Sequence, residues 1–297
     1  IEESLELFSK ENYDIDIIIN SEMFNEENIK LAESRKDCVC FFGVPRLFVS
    51  YLIVNNLILT TEDGLKITAK QQLLNHKITD KDINNIINYL SSLQKSSYAF
   101  CIFGFKVQED KFTGKNKIVN VVGDIAGLKA SASSENPWSL GAGIERGLIK
   151  NISRDIMKLN TKQKDLLYKI GVNSLYNNTL MSQKLFVDES FQVNKLHNRN
   201  IYNYLKRTAE KISNKYMFDL NTTNLRYSLS VELKLMLEDM MARRGIQAGK
   251  FVVKPIDENK VEVSIYIAIS NLNEIIKLNF INIGTKEVSE VIQIKGI

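Results

Sequence analysis

The sequence is poor in the residues that most often carry chemistry. Two histidines, three cysteines, three prolines and a single tryptophan are spread over 297 residues. His76 and His197 stand far apart, and Cys38-Val-Cys40 has no second pair, so no metal-ligand spacing is present and neither a metal nor a cofactor is expected. The odd cysteine count argues against a disulfide framework. Cys38, Cys40 and Cys101 sit in the apolar runs Cys-Val-Cys-Phe-Phe and Ala-Phe-Cys-Ile-Phe, where buried, reduced thiols in a cytoplasm-like compartment are expected. No apolar stretch reaches membrane-spanning length, and no secretory signal is read at the start, so no membrane insertion is expected. A phosphate-binding Gly-x-x-x-x-Gly-Lys-Ser/Thr loop is missing; Gly123 to Gly127 lacks the lysine. Gly141-x-Gly143 follows no clear strand, and no Gly-x-Ser-x-Gly elbow occurs. The net charge of +4 is too mild to demand nucleic acid. Because the chain begins at Ile1 and not at methionine, a preceding portion is expected.

What is present is an ordinary globular composition, 44% hydrophobic and 25% charged, long enough for two domains. The first half alternates strands and helices. Asp14 to Ile19 reads as a strand, Glu26 to Arg35 as a short helix, and Asp37 to Val44 as a strand buried on both faces and stopped by Pro45. Thr79, with Asp82 three residues on, caps a helix over 78–93 whose stripe is Ile83, Ile86, Ile87 and Leu90. Ser97 to Gly104 is a second buried strand, and strand–helix–strand at this spacing predicts a parallel α/β sheet. Residues 47–76 are irregular. Residues 153–170 read as helical, with Gly171 as a left-handed stop. The stretch 176–194 reads as an extended connection. Helices are expected over about 200–216 and about 230–244, the second ended by Gly245. Phe251 to Lys254, the 257–259 turn and Val261 to Ile269 read as an antiparallel hairpin. Ile276 to Ile283 alternates with a phase shift that a bulge near Phe280 would explain. The last residues, Lys286 to Ile297, hold a strand-like run, Val288 to Ile294, which can pair at home or add to a neighbouring chain's sheet.

The run Asn136-Pro-Trp-Ser-Leu-Gly-Ala-Gly-Ile-Glu-Arg-Gly147 holds the tryptophan, one proline and three glycines, and no acid, base or nucleophile dominates it. Such a segment fixes backbone shape and presents a surface. Together with Leu167-Tyr-Lys-Ile-Gly-Val-Asn173 and the upstream Gly123-Asp-Ile-Ala-Gly-Leu128, it resembles the contractile tail sheath proteins of tailed bacteriophages, a family shared with bacteriocin and injection-system sheaths. Arg35-Lys-Asp-Cys38 is similar to the family's lead-in to its first core strand. Phe191 to Leu205 resembles its Phe-x-x-Ile-Asn-Val-Arg-Arg-Leu segment, with Arg199 matching the first arginine and Asn200 replacing the second. Phe218 to Leu220 looks like its Phe-Glu-x-Asn step. Gly141 stands where the family usually has proline, and Ser182 where it often has glycine. The likeness runs from about Tyr13 to Asn282.

The resemblance implies a non-catalytic α/β subtilisin-like domain over 1–178, a smaller α+β C-terminal domain over 179–284 facing an inner tail tube, and a terminal strand arm over 285–297. It implies a structural subunit of stacked rings that exchange strands and contract to drive the tube through a host envelope. Baseplate and tail terminator proteins are the further expected partners, with assembly in the host cytoplasm and residence in the virion tail. On this reading Arg243, Arg244 and Lys250 face the tube, and Val288, Val291, Ile292 and Ile294 belong to the arm between subunits. Locally, Arg243 and Arg244 can equally complement a helix macrodipole, worth about 0.3–1 kcal/mol each. An alternative is a subtilisin-like or other α/β hydrolase with an appended binding domain, which requires a Ser/His/Asp cluster around His76 or His197. A nucleic-acid binder using Arg243, Arg244 and Lys250 is disfavoured by the mild charge and the lack of basic–aromatic interleaving.

Overall fold

A computed structural model describes residues 8, 13–20, 23–48, 78–114, 116–150, 159–188, 190–257 and 260–270. The elements among them are β1 (Ile17–Asn20), α1 (Asn25–Arg35), β2 (Val39–Gly43), α2 (Asp80–Ser92), β3 (Ala99–Phe103), β4 (Phe105–Glu109), β5 (Asn116–Asn120), α3 (Val122–Ser133), α4 (Thr161–Lys169), β6 (Val172–Tyr176), β7 (Thr179–Leu180), α5 (Leu196–Asn214), α6 (Thr223–Ala242), β8 (Ile246–Asp257) and β9 (Lys260–Ile269).

Five strands form a mixed sheet in the order β1-β2-β3-β6-β7. The first three pairings are parallel, with Cys40 opposite Ala99 and Cys101 opposite Val172, and β7 turns back antiparallel to β6. Every residue of β2 and β3 is buried. The period of two then sorts them between two cores. Cys38, Cys40, Phe42, Ala99, Cys101 and Phe103 meet α1, α2 and α4 through Ile29, Ile83, Ile86, Leu90 and Leu167. Val39, Phe41, Phe100 and Ile102 meet α3 and the run after it, through Ile125, Leu140 and Ile149. This two-sided burial explains the unbroken apolar runs.

Local signals set the helix ends. Thr79 and Asp82 form the expected capping box: the Asp82 amide donates to Thr79 Oγ1 at 3.2 Å, and the Thr79 amide donates to Asp82 Oδ2 at 3.1 Å. Asn160 and Gln163 form a second such box, so α4 starts at Thr161, later than the periodicity suggests. Gln163 Nε2 also donates to the Ile78 carbonyl at 3.0 Å, joining the starts of α4 and α2. Gly171 does take a left-handed φ of 91°.

One reading gains detail and two need correction. The extended stretch 176–194 is more than a connection: Leu180, Leu185, Phe186 and Val187 lie in the two cores. Its main chain bonds alongside β3, with the Phe186 amide donating to the Ala99 carbonyl at 2.8 Å and the Ser96 amide to the Phe186 carbonyl at 2.9 Å. Secondly, α6 begins at Thr223, well before Ser230, because Thr222 caps it. Thirdly, that helix ends through Arg244, which takes the left-handed φ of 60°; Gly245 does not. The readings over 47–76, 153–158 and 271–297 fall wholly or largely outside the described residues.

The tryptophan run acts as a strut through its buried residues and presents Ile144, Glu145 and Arg146 at the surface. Trp138 is 2% exposed and belongs to a third core, with Ile201 and Leu205 of α5, Leu233, Leu237 and Met240 of α6, and Ile246 of β8. Its ring meets Tyr204 edge-on at 5.5 Å, and its carbonyl accepts from Asn200 Nδ2 at 3.2 Å. Gly245 is required there by close approach: a Cβ on it would lie 2.7 Å from Trp138 Cζ2. The rest of the run is tied to β7. The Gly143 amide donates to the Leu180 carbonyl, and the Leu180 amide to the Gly147 carbonyl, both at 2.8 Å. A Cβ on Gly141 would meet the Arg146 carbonyl at 2.6 Å. A side chain at residue 141 therefore does not fit this backbone without a shift.

Two outcomes follow from these contacts. Asn173, fully buried, donates to the Cys101 and Lys184 carbonyls at 3.0 and 2.7 Å and accepts from Ser182 Oγ and the Lys184 amide at 2.7 and 3.0 Å. Asn173→Ala leaves several of these groups unpaired and should lower unfolding stability by about 2–4 kcal/mol in a denaturant titration. Gly245→Ala should cost about 1–3 kcal/mol by overpacking. It should also shift the emission of the only tryptophan; wild-type stability and emission would contradict the packing role given to Gly245.

Candidate interaction surface

Among the described residues, the best-formed exposed features lie on the helical and hairpin layer built around Trp138. Arg243 and Arg244 end α6, and both are exposed. The helix turn determines the first partner: Arg243 Nε donates to Asp239 Oδ1 at 3.0 Å across an i,i+4 spacing. Arg244 turns the chain into β8. Lys250 is also exposed and lies with its ammonium 5.3 Å from the Tyr266 ring centroid on β9. It stands four residues beyond Ile246, roughly 13 Å along the strand from the helix end. The three cations thus share one layer without forming a single cluster. The local macrodipole reading holds for Arg243, and its exposed ion pair is of the weak, screened kind.

Strands β8 and β9 pair with each other from Ile246 opposite Ile269 to Asp257 opposite Lys260. Their inner face packs on α6 through Phe251, Val253, Val263, Ile265 and Ile267. Among the described residues neither strand has a second neighbour, so both outer edges carry unpaired main-chain groups. The arm residues Val288, Val291, Ile292 and Ile294 lie outside the described residues.

Of the two histidines that a catalytic reading would need, His76 lies outside the described residues and only His197 lies among them. His197 is buried at the start of α5; burial lowers its pKa, and its charged neighbour is Lys129, a cation where a triad would place a carboxylate. The cysteines are free and buried, as expected. Burial pushes the Cys38 thiol up to about 12, and Cys40 and Cys101 also move upward, which removes thiolate character. Lys129 is buried too, and desolvation brings it down to about 8; its ammonium donates to Ser133 Oγ at 2.7 Å and the Pro137 carbonyl at 2.6 Å, beside the tryptophan run.

Several motif residues prove to be architectural. Arg35 grips Asp37 with both prongs, Nε to Oδ1 at 3.0 Å and Nη2 to Oδ2 at 2.8 Å. Arg199 stacks 4.0 Å from the Tyr98 ring centroid and donates to Ser97, fixing α5 to the sheet layer. Sequence reasoning missed two surface features. One is an exposed apolar line on α6, Tyr227, Val231 and Leu235, with Met217, Phe218 and Leu220 just before the helix; Phe218 is 100% exposed and has a left-handed φ of 70°. The spacing of four along 227–235 was a visible signal, masked by the stronger stripe on the opposite face. The other is the basic face of α5, where Arg207 and Lys211 turn toward Asp16 and Asp14 and Lys206 donates to the Arg35 carbonyl.

No family model matches the chain. Two related sequences are the tail sheath protein of Vibrio phage KVP40, 28% identical over 265 residues and 84% of this chain, and that of Enterobacteria phage T4, 25% identical over 276 residues and 86% of this chain. The chain spans 38% of the length of each. Among solved structures, the sheath complex of an extracellular contractile injection system, PVC, in its contracted state matches with a TM-score of 0.59 at 14% identity, covering 92% of both chains. In sequence this chain is a relative of the phage tail sheath proteins, and it shares the fold of a contractile injection-system sheath, the family its motifs resemble.

Proposed function

We propose that this chain is a structural subunit of a contractile tail sheath, polymerising around an inner tail tube and contracting to drive the tube through the host envelope. The observation that carries the reading is the likeness to two phage tail sheath proteins along more than four fifths of this chain. The molecule suits such a role. Its sheet is covered on both faces, its thiols are buried, and among the described residues a long hairpin has no further strand at either edge. A sheath subunit needs no active site, and none is assigned to this one.

In this reading the subtilisin-like, non-catalytic body expected over residues 1–178 runs on through β7 and Leu185 to Val187, which belong to its sheet and cores, and the rest of 179–284 forms the tube-facing part. Residues 285–297 add as a strand to a neighbouring subunit, with Val288, Val291, Ile292 and Ile294 supplying its apolar positions. An open hairpin edge is the natural acceptor, because strand addition draws its strength from main-chain hydrogen bonds. Those bonds survive rigid-body rotation of the subunits, whereas side-chain contacts between subunits exchange. Stacked rings bounded by baseplate and terminator proteins, assembled in the host cytoplasm and carried in the virion tail, complete the proposal.

The full-length protein should form long tubes under negative-stain electron microscopy, and deletion of Lys286 to Ile297 should abolish them. Persistent monomers at every salt concentration would refute the sheath role, and normal tubes from the truncated chain would refute strand exchange alone. Arg243→Glu with Arg244→Glu should reduce co-sedimentation with the inner tube protein several-fold at low salt, and less as salt screens the contact. An unchanged yield would remove these arginines from the tube interface.

A further inference from the structure

Strand β1 is a weak point in the sheet. It has four residues and, among the described residues, lies at the edge and pairs only with β2. An edge strand pulled from its free end opens one hydrogen bond at a time, so little resists its removal. The chain just ahead of it is held by something else. Arg35, whose side chain is fully buried, turns two of its three remaining N–H donors on main chain: Nη1 donates to the Phe8 carbonyl at 2.6 Å and Nη2 to the Tyr13 carbonyl at 2.7 Å. Asp37 balances its charge. The Arg35 carbonyl in turn accepts from Lys206 Nζ of α5 at 3.0 Å.

Helix α5 adds a matched pair of contacts. Arg207 Nη2 meets Asp16 Oδ1 at 2.8 Å, and Lys211 Nζ meets Asp14 Oδ2 at 2.8 Å. The spacings agree. Residues four apart on a helix are displaced by about 6 Å, and residues two apart on an extended chain by about 6.6 Å on the same side. Arg207 and Lys211 therefore lie in register with Asp16 and Asp14. Lys129 of α3 stands 3.8 Å from the second Asp16 oxygen. Four elements of this arrangement, the end of α1, α3, α5 and the 13–16 segment, meet at one place.

We propose that these residues form a clasp that holds Phe8 and residues 13–16 to the body, so that a pull on the chain ahead of them is received by α1 and α5 and does not peel β1 from the sheet. The inference concerns the single chain and does not depend on the sheath reading; within that reading, the clasp is the point at which a pull along the amino-terminal chain would enter the rigid body.

Hydrogen exchange of the full-length monomer, followed by mass spectrometry, tests it without any assembly. Asp14→Lys should speed exchange of peptides covering residues 13–20 by about tenfold, as expected for local opening, while β3 stays at the wild-type rate. Combining Asp14→Lys with Lys211→Asp should restore protection. Arg35→Lys keeps the charge but loses the two-carbonyl grip and should release residues 8–16 further. Unchanged exchange over 13–20 in Asp14→Lys would overturn the proposal. So would failure of the swapped pair to restore it, or equal acceleration in β3, which would mean general destabilisation. Should Arg35→Lys not fold, the Asp14 and Lys211 variants decide the matter alone.

Discussion

A sheet covered on both faces is the constraint from which most of this structure follows. Once every side chain of β2 and β3 is committed to a core, the strands have no face left on which to display a reactive group. Polar residues inside the layer serve the main chain. Asn173 stitches the end of β3 to the 182–184 segment, and Asn120 donates to the Val44 carbonyl at 3.2 Å while accepting from the Val122 amide at 3.0 Å. Each satisfies groups that burial would otherwise leave costly. The three thiols obey the same rule: in an apolar setting their ionised form is disfavoured, so they act as small hydrophobic residues. Variable function is thereby displaced to the edges of the layer and to the elements packed beside it.

The second layer is joined to the first by few but well-chosen contacts. Trp138 leaves the α/β layer and fills the space between α5, α6 and β8, and Gly245 yields the room it needs. Arg199 comes back the other way, from α5 onto Tyr98 and Ser97 at the start of β3. Asn200 beside it bonds the Trp138 carbonyl, so adjacent residues of one helical turn hold both halves of the junction. Aromatic area supplies most of the energy and the hydrogen bonds supply direction. A junction of this type resists rotation better than a linker would, because movement must break packing and polar contacts together.

The pattern that was legible in the sequence is the pattern governed by near neighbours. The Thr79–Asp82 box, the left-handed Gly171, the two apolar strands and the hairpin all depend on residues a few positions apart, and they appear where periodicity and capping place them. The stripe of Ile201, Leu205 and Ile212 marks α5, although its first turn, Leu196 to Arg199, lies ahead of the expected start at about residue 200. Errors arose where a distant partner decided. Nothing near Phe186 shows that it will lie beside β3, and nothing near Trp138 shows that its space is granted by a glycine more than a hundred residues on. The site residues divide in the same way. Arg243 was readable as a helix-end cation, whereas the relation of α5 to Asp14 and Asp16 spans almost two hundred residues and left only the weak trace of two alternating acids.

The surface beyond the junction combines two kinds of contact with different responses to motion. Main-chain groups along the β8 and β9 edges are independent of side-chain identity and keep their geometry if an added strand moves with the hairpin. Exposed charges such as Arg243, Arg244 and Lys250 interact weakly in water, fall off within a Debye length and can exchange partners at little cost. An assembly that must stay linked while its subunits rotate needs the first kind between subunits and the second kind against whatever it slides along. The inverse arrangement would fail, since strong side-chain locks against the sliding partner would stall the motion and weak charges between subunits would let the lattice part. The apolar line of Tyr227, Val231 and Leu235 on α6 fits neither kind, because a dry contact there would be strong and slow to exchange.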